Sequence, residues 1–400
     1  AAGNTNADGS DGNNTATITV DTVLPTLVSA ITGDSDADGT VDRLTLTFSE
    51  QVNISNINDD NFTLTESESG SPVISGTYNP SSGQTSVTLT LTGVTANNTS
   101  LTISPNYDDA TGTIIDNAGN EMSFSETVSG TDGAAPVFIS MSLSNNSYIK
   151  VADVGYTLSE AIASGTVTYT RTSGSTDGGS PHVQNLSGAE LNTGARSLAA
   201  LASAPTLANG TIYKIEFSGT DSNFRTSDLS GSNNQASEVT FDTSPPQFYN
   251  AVLFDTDGDG NIDEIVVECL EKISDASVTY GDFNVGRGSV TGFSTASGLS
   301  SNTLDAADND RHITLEVSIT GTYPVTLGYT DNNTGTDLAD LAGNVAATNS
   351  SINIIDLAAP IFSSVIPSSN SYINVADFGY TLSEAITAGT ITYTRISGAY

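Results

Sequence analysis

Asn146-Ser-Tyr-Ile-Lys-Val-Ala-Asp-Val-Gly-Tyr-Thr-Leu-Ser-Glu-Ala-Ile162 returns further along the chain as Asn370-Ser-Tyr-Ile-Asn-Val-Ala-Asp-Phe-Gly-Tyr-Thr-Leu-Ser-Glu-Ala-Ile386, with 15 of 17 positions identical. A match this long marks an internal repeat, and the repeat decides the architecture. Within the stretch Val154, Tyr156 and Leu158 alternate with smaller or polar residues, which is the period-two pattern of a strand with one face buried. The same alternation occurs at Leu44, Leu46 and Phe48, at Ile265, Val267 and Cys269, and at Val87, Leu89 and Leu91 between threonines. Strands recur at short spacing with Gly, Asn, Asp and Ser turns between them, and no long helical period appears, so an all-β chain is predicted. Cys269 takes the position of Phe48 and reads as a small core hydrophobe.

Outward from this stretch, four segments carry one junction: Asp21-Thr-Val-Leu-Pro25, Asp132-Gly-Ala-Ala-Pro136, Asp242-Thr-Ser-Pro-Pro246 and Asp356-Leu-Ala-Ala-Pro360. Their aspartates are spaced by 111, 110 and 114 residues, the size of one immunoglobulin-like antiparallel β-sandwich. Two kinds of repeat alternate. Type A follows Asp21 and Asp242; it carries an acidic loop from Asp34 or Asp255 and a late Asp116-Asn-Ala-Gly-Asn120 or Asp340-Leu-Ala-Gly-Asn344. Type B follows Asp132 and Asp356, lacks the acidic loop, and has Asp228-Leu-Ser-Gly-Ser232 as its late turn.

The expected division is therefore 1–20, the end of a preceding type B repeat; 21–131, repeat A1; 132–241, B1; 242–355, A2; and 356–400, the start of a truncated B2. The simplest account is a window cut from a longer A–B–A–B array of tandem sandwiches. Proline fixes one dihedral at each junction and restricts the residue before it, and no Gly/Ser-rich linker intervenes, so an extended array is expected. Ala1-Ala-Gly-Asn4 shows neither the basic region nor the apolar core of a signal peptide, as a processed or excised chain would.

Ten Lys and Arg against 46 Asp and Glu give a net charge of −36. Such a surface repels nucleic acid and anionic membranes and attracts divalent cations. No run of 18 apolar residues predicts a membrane span, and a single cysteine excludes a disulfide framework within the chain. His182 and His312 fall in different repeats without sister equivalents, and neither a G-x-S-x-G elbow nor zinc-type histidine spacing occurs. A nucleophile needs an oriented base, so no enzyme is expected.

Asp34-Ser-Asp-Ala-Asp-Gly-Thr-Val-Asp42 and Asp255-Thr-Asp-Gly-Asp-Gly-Asn-Ile-Asp263 carry the strongest chemical signal. Calcium is a hard cation that takes six to eight oxygens. Aspartates at positions 1, 3 and 5 (Asp34, Asp36, Asp38; Asp255, Asp257, Asp259) can wrap one ion, and the position 6 glycine permits the sharp turn. The carbonyl of Thr40 or Asn261 can add an oxygen, and Asp42 or Asp263 can bind directly or through water. Position 12 is Thr45 or Val266, inside a strand, in place of the bidentate glutamate of a helical EF-hand. A further ligand must come from elsewhere. The alternative is an acidic, solvated hairpin turn.

The Asp-x-x-x-Pro junctions, the Phe48-Ser-Glu-Gln-Val52 and Leu158-Ser-Glu-Ala-Ile162 segments, and the two Asp-x-Ala-Gly-Asn turns together resemble the bacterial Ig-like repeats of giant adhesins and S-layer-type surface proteins. Cys269-Leu-Glu-Lys-Ile273 departs from that pattern. The resemblance implies an extracellular or cell-surface chain, with calcium at domain junctions. Asp21, Asp132, Asp242 and Asp356, with Glu50, Glu160, Glu271 and Glu384, would then be junction ligands. The competing reading is that the aspartates only cap the turn before proline.

Three functions follow as expectations. One is a rod, filament or surface-layer segment stiffened by calcium, partnered by copies of itself or by neighbouring surface proteins. Another is the stalk of an adhesin whose binding module lies outside this window. The last is a carbohydrate-binding module, which the lack of tryptophan for sugar stacking disfavours. Sequons at Asn53, Asn61, Asn97 and Asn185 leave glycans possible.

Overall fold

A computed structural model describes residues 19–400 apart from 81, 109–113, 153, 197–203, 228–233, 294–310, 321–324, 332–336 and 398–400. The chain is all-β. Among the described residues helix is limited to 3-10 turns such as Asp59–Asn61, and no helix is long and apolar enough to cross a membrane.

Three hydrophobic cores follow one another along the chain, each closed by two sheets. Around the first, the strands Val73–Ile74, Gln84–Thr92, Arg43–Ile54, Leu27–Gly33 and Gly130–Thr131 lie in that order. The facing sheet holds Phe62–Glu66, Ile103–Tyr107 and Glu126–Thr127. Arg43–Ile54 shows why: Leu44, Leu46 and Phe48 point inward and are buried, while Arg43, Thr45 and Thr47 are half-exposed. Each fully buried side chain of this size contributes roughly 1.5–3 kcal/mol of transfer free energy, so a one-residue slip of register would expose the whole set.

The second unit sets Phe138–Met141, Tyr156–Leu158 and Gly194–Arg196 against Tyr148–Ile149, Gln235–Phe241, Thr211–Thr220, Ser164–Gly174 and His182–Asn185. Phe138, Tyr156 and Phe217 meet at its centre, with ring centroids 4.9 to 5.5 Å apart. The third sets Ser289–Phe293, His312–Ile319, Ile262–Cys269, Phe248–Phe254 and Ile354–Asp356 against Phe283–Val285, Leu327–Tyr329 and Asn349–Ile352. Cys269 is fully buried in that core. In each unit a late strand pairs in parallel with an early one: Leu27–Gly33 with Gly130–Thr131, Tyr148–Ile149 with Gln235–Phe241, Phe248–Phe254 with Ile354–Asp356. Beyond the third unit Phe362–Ile366 and Gly379–Leu382 form a two-stranded pair that leaves Phe362 and Ile366 exposed.

Candidate metal centres

The two D-x-D-x-D-G loops each join the first long hairpin of a unit, Leu27–Gly33 to Arg43–Ile54 and Phe248–Phe254 to Ile262–Cys269. Gly39 at φ +92° and Gly260 at φ +87° take the left-handed turn, preceded by left-handed Ala37 and Gly258. The turn folds main-chain N–H groups inward. Gly39 N donates to Asp34 Oδ2 at 2.9 Å and Gly260 N to Asp255 Oδ2 at 2.8 Å. Thr40 N donates to Asp38 Oδ1 and Asn261 N to Asp259 Oδ1, both at 2.8 Å.

The structure thereby gathers Asp34, Asp36 and Asp38, and equally Asp255, Asp257 and Asp259, each with carboxylate oxygens within 4.8 Å of one another. Burial, and then its neighbours Asp36 and Asp38, raise the carboxyl of Asp34. At Asp257 a bond from the Asp259 N–H pulls downward, but burial and the charges of Asp259, Asp263 and Asp255 outweigh it. Asp42 and Asp263 lie outside these trios and close the base of each loop. Asp42 accepts from Ser35 N and Oγ at 2.8 and 2.6 Å, and Asp263 from Thr256 N and Oγ1 at 2.9 and 3.0 Å. Thr45 and Val266 stand in strands.

Both loops touch the segment that follows their own unit. A Cβ on Gly39 would sit 2.9 Å from Ile139 Cγ1 and 3.6 Å from Ser159 Cβ. A Cβ on Gly260 would sit 3.1 Å from Ser383 Cβ, and Ser383 is the sister of Ser159. A cavity of about 170 Å3 beside the first loop is lined by Asp34, Ser35 and Ala37 on one side and Ala135, Pro136, Val137 and Thr226 on the other.

A second kind of acidic group stands at the junctions: Asp21, Glu50 and Asp116; Asp132, Glu160 and Asp221; Asp242, Glu271 and Asp340. Asp356 also meets Glu384. The junction aspartates do cap the turn before proline. Each Oδ1 accepts the N–H two residues on, at Val23, Ala134, Ser244 and Ala358 (2.9 to 3.1 Å). Capping occupies Oδ1 alone; at Asp132 the other oxygen, Oδ2, accepts from Asn223 Nδ2 at 3.2 Å. Burial first, and then neighbouring aspartates, push Glu160 and Glu271 up to about 7; at Glu160 a bond from Thr99 partly offsets this.

Asp116, Asp221 and Asp340 complete these clusters through one shared turn. In each, the aspartate N donates to the carbonyl four residues on, and Oδ1 accepts the N–H groups two and four residues on. The type B copy of this turn is therefore Asp221–Arg225; Asp228–Ser232, where the sequence reading put it, lies outside the described residues. At the next joint Lys150 Nζ donates to Gly343 O at 2.5 Å, on the turn that holds Asp340.

His182 Nε2 lies 2.7 Å from Asp177 Oδ2, which also accepts Tyr213 OH at 2.5 Å, and these bonds brace a loop of the second unit. Of the sequon asparagines, Asn53 is half-buried and Asn97 and Asn185 are exposed, whereas Asn61 is buried and its Oδ1 accepts from Asn58 N.

No protein-family model matches the chain, and no curated protein matches it. Among solved structures it is similar to the chicken CNTN1 FN1-FN3 domains at 11% identity and TM-score 0.26, covering 83% of this chain and 100% of that one. It is similar to the S-layer protein rSbsC(31-844) at 14% identity and TM-score 0.22, covering 90% of this chain and 62% of that one. A third similarity, to Sidekick-1 immunoglobulin domains 1-4, has 12% identity and TM-score 0.15, covering 86% and 77%. Likenesses at these scores decide nothing about fold or function, which rest on the sheets and sites themselves.

Proposed function

We propose that this chain is a non-enzymatic structural segment of an extracellular or cell-surface protein, built of alternating Ig-like repeats that begin at residues 21, 132, 242 and 356 and stiffened by calcium in the D-x-D-x-D-G loops. One observation carries the reading: in both copies the loop glycine packs against the serine that opens the next Ser-Glu-Ala segment, Ser159 or Ser383. An ion that orders the loop then also orders the surface on which the following repeat rests. Three carboxylates within 4.8 Å repel one another in the absence of a cation, so the loop gains from an ion that binds only the folded form. Asp34, Asp36 and Asp38, with Asp255, Asp257 and Asp259, would be the carboxylate ligands. Thr40 and Asn261 would add main-chain oxygens, and Asp42 and Asp263 would close the loop.

Partners on this reading are copies of the chain or neighbouring surface proteins. Calcium titration of the chelator-treated chain by calorimetry tests it. The Asp36→Asn/Asp257→Asn variant is expected to bind two fewer ions than the parent, and equal stoichiometry would sink the loop assignment. Electron microscopy of the native assembly separates a lattice or filament from an adhesin stalk.

A further inference from the structure

The late turn is built alike in all three units but differs at its fourth position. Gly119 and Gly343 stand there in the turns that begin at Asp116 and Asp340, with φ +92° and +81°. In the second unit Phe224 holds that position at φ +64°, and it is 89% exposed. A bulky residue is an outlier in the left-handed region, where glycine is free of strain. Scattered exposed apolar residues are ordinary, but this one joins a strained backbone to a ring that lies outside the unit's buried core. The fold of a single chain gains nothing from it, and strain of this kind collects at functional positions. Arg225 follows, also exposed and in no ion pair among the described residues.

The other end of the same unit carries a complementary feature. A cavity of about 430 Å3 is lined largely by apolar side chains, Val151, Pro205, Leu207 and Phe241 among them, together with Lys150 and Thr243. Its size and apolar lining are those of a binding cleft. A phenyl ring would bury its area there, with the Lys150 ammonium available to its face. Thr243 follows Asp242, and Lys150 bonds the carbonyl of Gly343 in the turn of Asp340, so the acidic group of Asp242, Glu271 and Asp340 lies beside the cavity. No lysine or arginine pairs with these three among the described residues. A ring docked in the cavity would carry Arg225, the next residue, toward them.

One chain cannot fill its own cavity. The ten-residue strand Thr211–Thr220 runs from beside Asn209, which lines the cavity, to Asp221, which opens the turn, so about 30 Å separates the two. The ring stands by the entering junction, where Asn223 Nδ2 donates to Asp132 Oδ2 at 3.2 Å. The cavity stands by the leaving junction at Asp242. The occupant these features fit is the ring of another copy.

We propose that Phe224 of one copy docks into the cavity between Val151, Pro205, Leu207 and Phe241 of a second copy, with Arg225 facing the acidic group beside it. Knob and hole lie on different surfaces, so the contact is heterologous, and such contacts run on into open filaments unless their rotation closes a ring. The inference rests on the proposed partnership with copies of the chain and names the surface that makes it. It uses no residue of the D-x-D-x-D-G loops.

Sedimentation velocity of the full chain over a range of concentrations tests it. The parent is expected to associate. Phe224→Gly is expected to associate roughly 30-fold more weakly, the size of a hot-spot loss, while melting no lower than the parent, because glycine suits the left-handed turn. Val151→Asp, at a position 57% exposed, is expected to lose association equally. Each variant keeps one half of the contact, so their equimolar mixture is expected to form dimers and nothing larger. Undiminished association in either variant overturns the docking and leaves the partnership standing. A mixture that stays monomeric overturns the pairing of ring and cavity, and a parent that never associates overturns the partnership and this inference with it.

Discussion

Gly39→Ala isolates the contact between the first loop and the second unit. Gly39 has φ +92°, and so has Gly119, beside which an added Cβ would meet nothing within 4 Å. Gly119→Ala therefore carries only the left-handed backbone cost, about 1–2 kcal/mol. Gly39→Ala carries that cost plus a Cβ placed 2.9 Å from Ile139 Cγ1, an overpacking strain of roughly 1–3 kcal/mol. Ile139→Ala in the Gly39→Ala background removes the obstructing atoms, so the double-mutant cycle should return most of that extra loss as a coupling term of roughly 0.5–3 kcal/mol. The chain has 14 tyrosines and no tryptophan, which makes tyrosine emission during urea unfolding a workable signal. Should Gly39→Ala lose no more than Gly119→Ala, or Ile139→Ala give no relief, the loop does not bear on the next unit and the stiffening argument loses its mechanical basis.

Two other outcomes follow from particular contacts. Asp177 is held down to about 2, mainly by the Tyr213 hydroxyl and then by His182. Its folded value lies below its ordinary 3.8, so its stabilisation is complete above about 3.8 and is lost as the pH falls toward 2. Asp177→Asn should flatten the acid unfolding of the second unit across that window, and a curve parallel to the parent's would contradict the bonding seen here. A peptide of residues 357–400 should show no cooperative melt, because its two strands leave Phe362 53% and Ile366 65% exposed and an isolated pair is marginal in water; a sigmoidal transition by circular dichroism would refute this.

The strands were legible because alternation is a direct image of burial: Leu44, Leu46 and Phe48 pointed inward as their period required. The loop aspartates at positions 1, 3 and 5 were legible for a similar reason, since a left-handed glycine at position 6 fixes the turn that brings them together. The junction aspartate and glutamate pairs, implied only by resemblance, meet in space because the turn before proline lies beside the end of the Ser-Glu strand.

Asp221 was hidden. Its sister turns place Gly119 and Gly343 at φ +92° and +81°, and glycine is what a motif search follows. In the second unit Phe224 takes that position at φ +64° with its ring 89% exposed, so the turn survives without its signature. The unequal distance from this turn to the next junction aspartate masked it further. Asp42 and Asp263 show the opposite limit: their carboxylates also accept from Ser35 and Thr256 at the base of the loop, a second use that no spacing reveals.

The central claim, that calcium ordering of the D-x-D-x-D-G loops stiffens the chain, is tested most directly by thermal melting with excess calcium and with chelator, in the parent and in Asp36→Asn/Asp257→Asn. Calcium at 100 times its dissociation constant stabilises a one-site fold by about 2.7 kcal/mol. The account predicts a clear rise in the parent midpoint with calcium, most of it absent from the double variant. Equal midpoints with calcium and with chelator in the parent, or an undiminished rise in the variant, would contradict it.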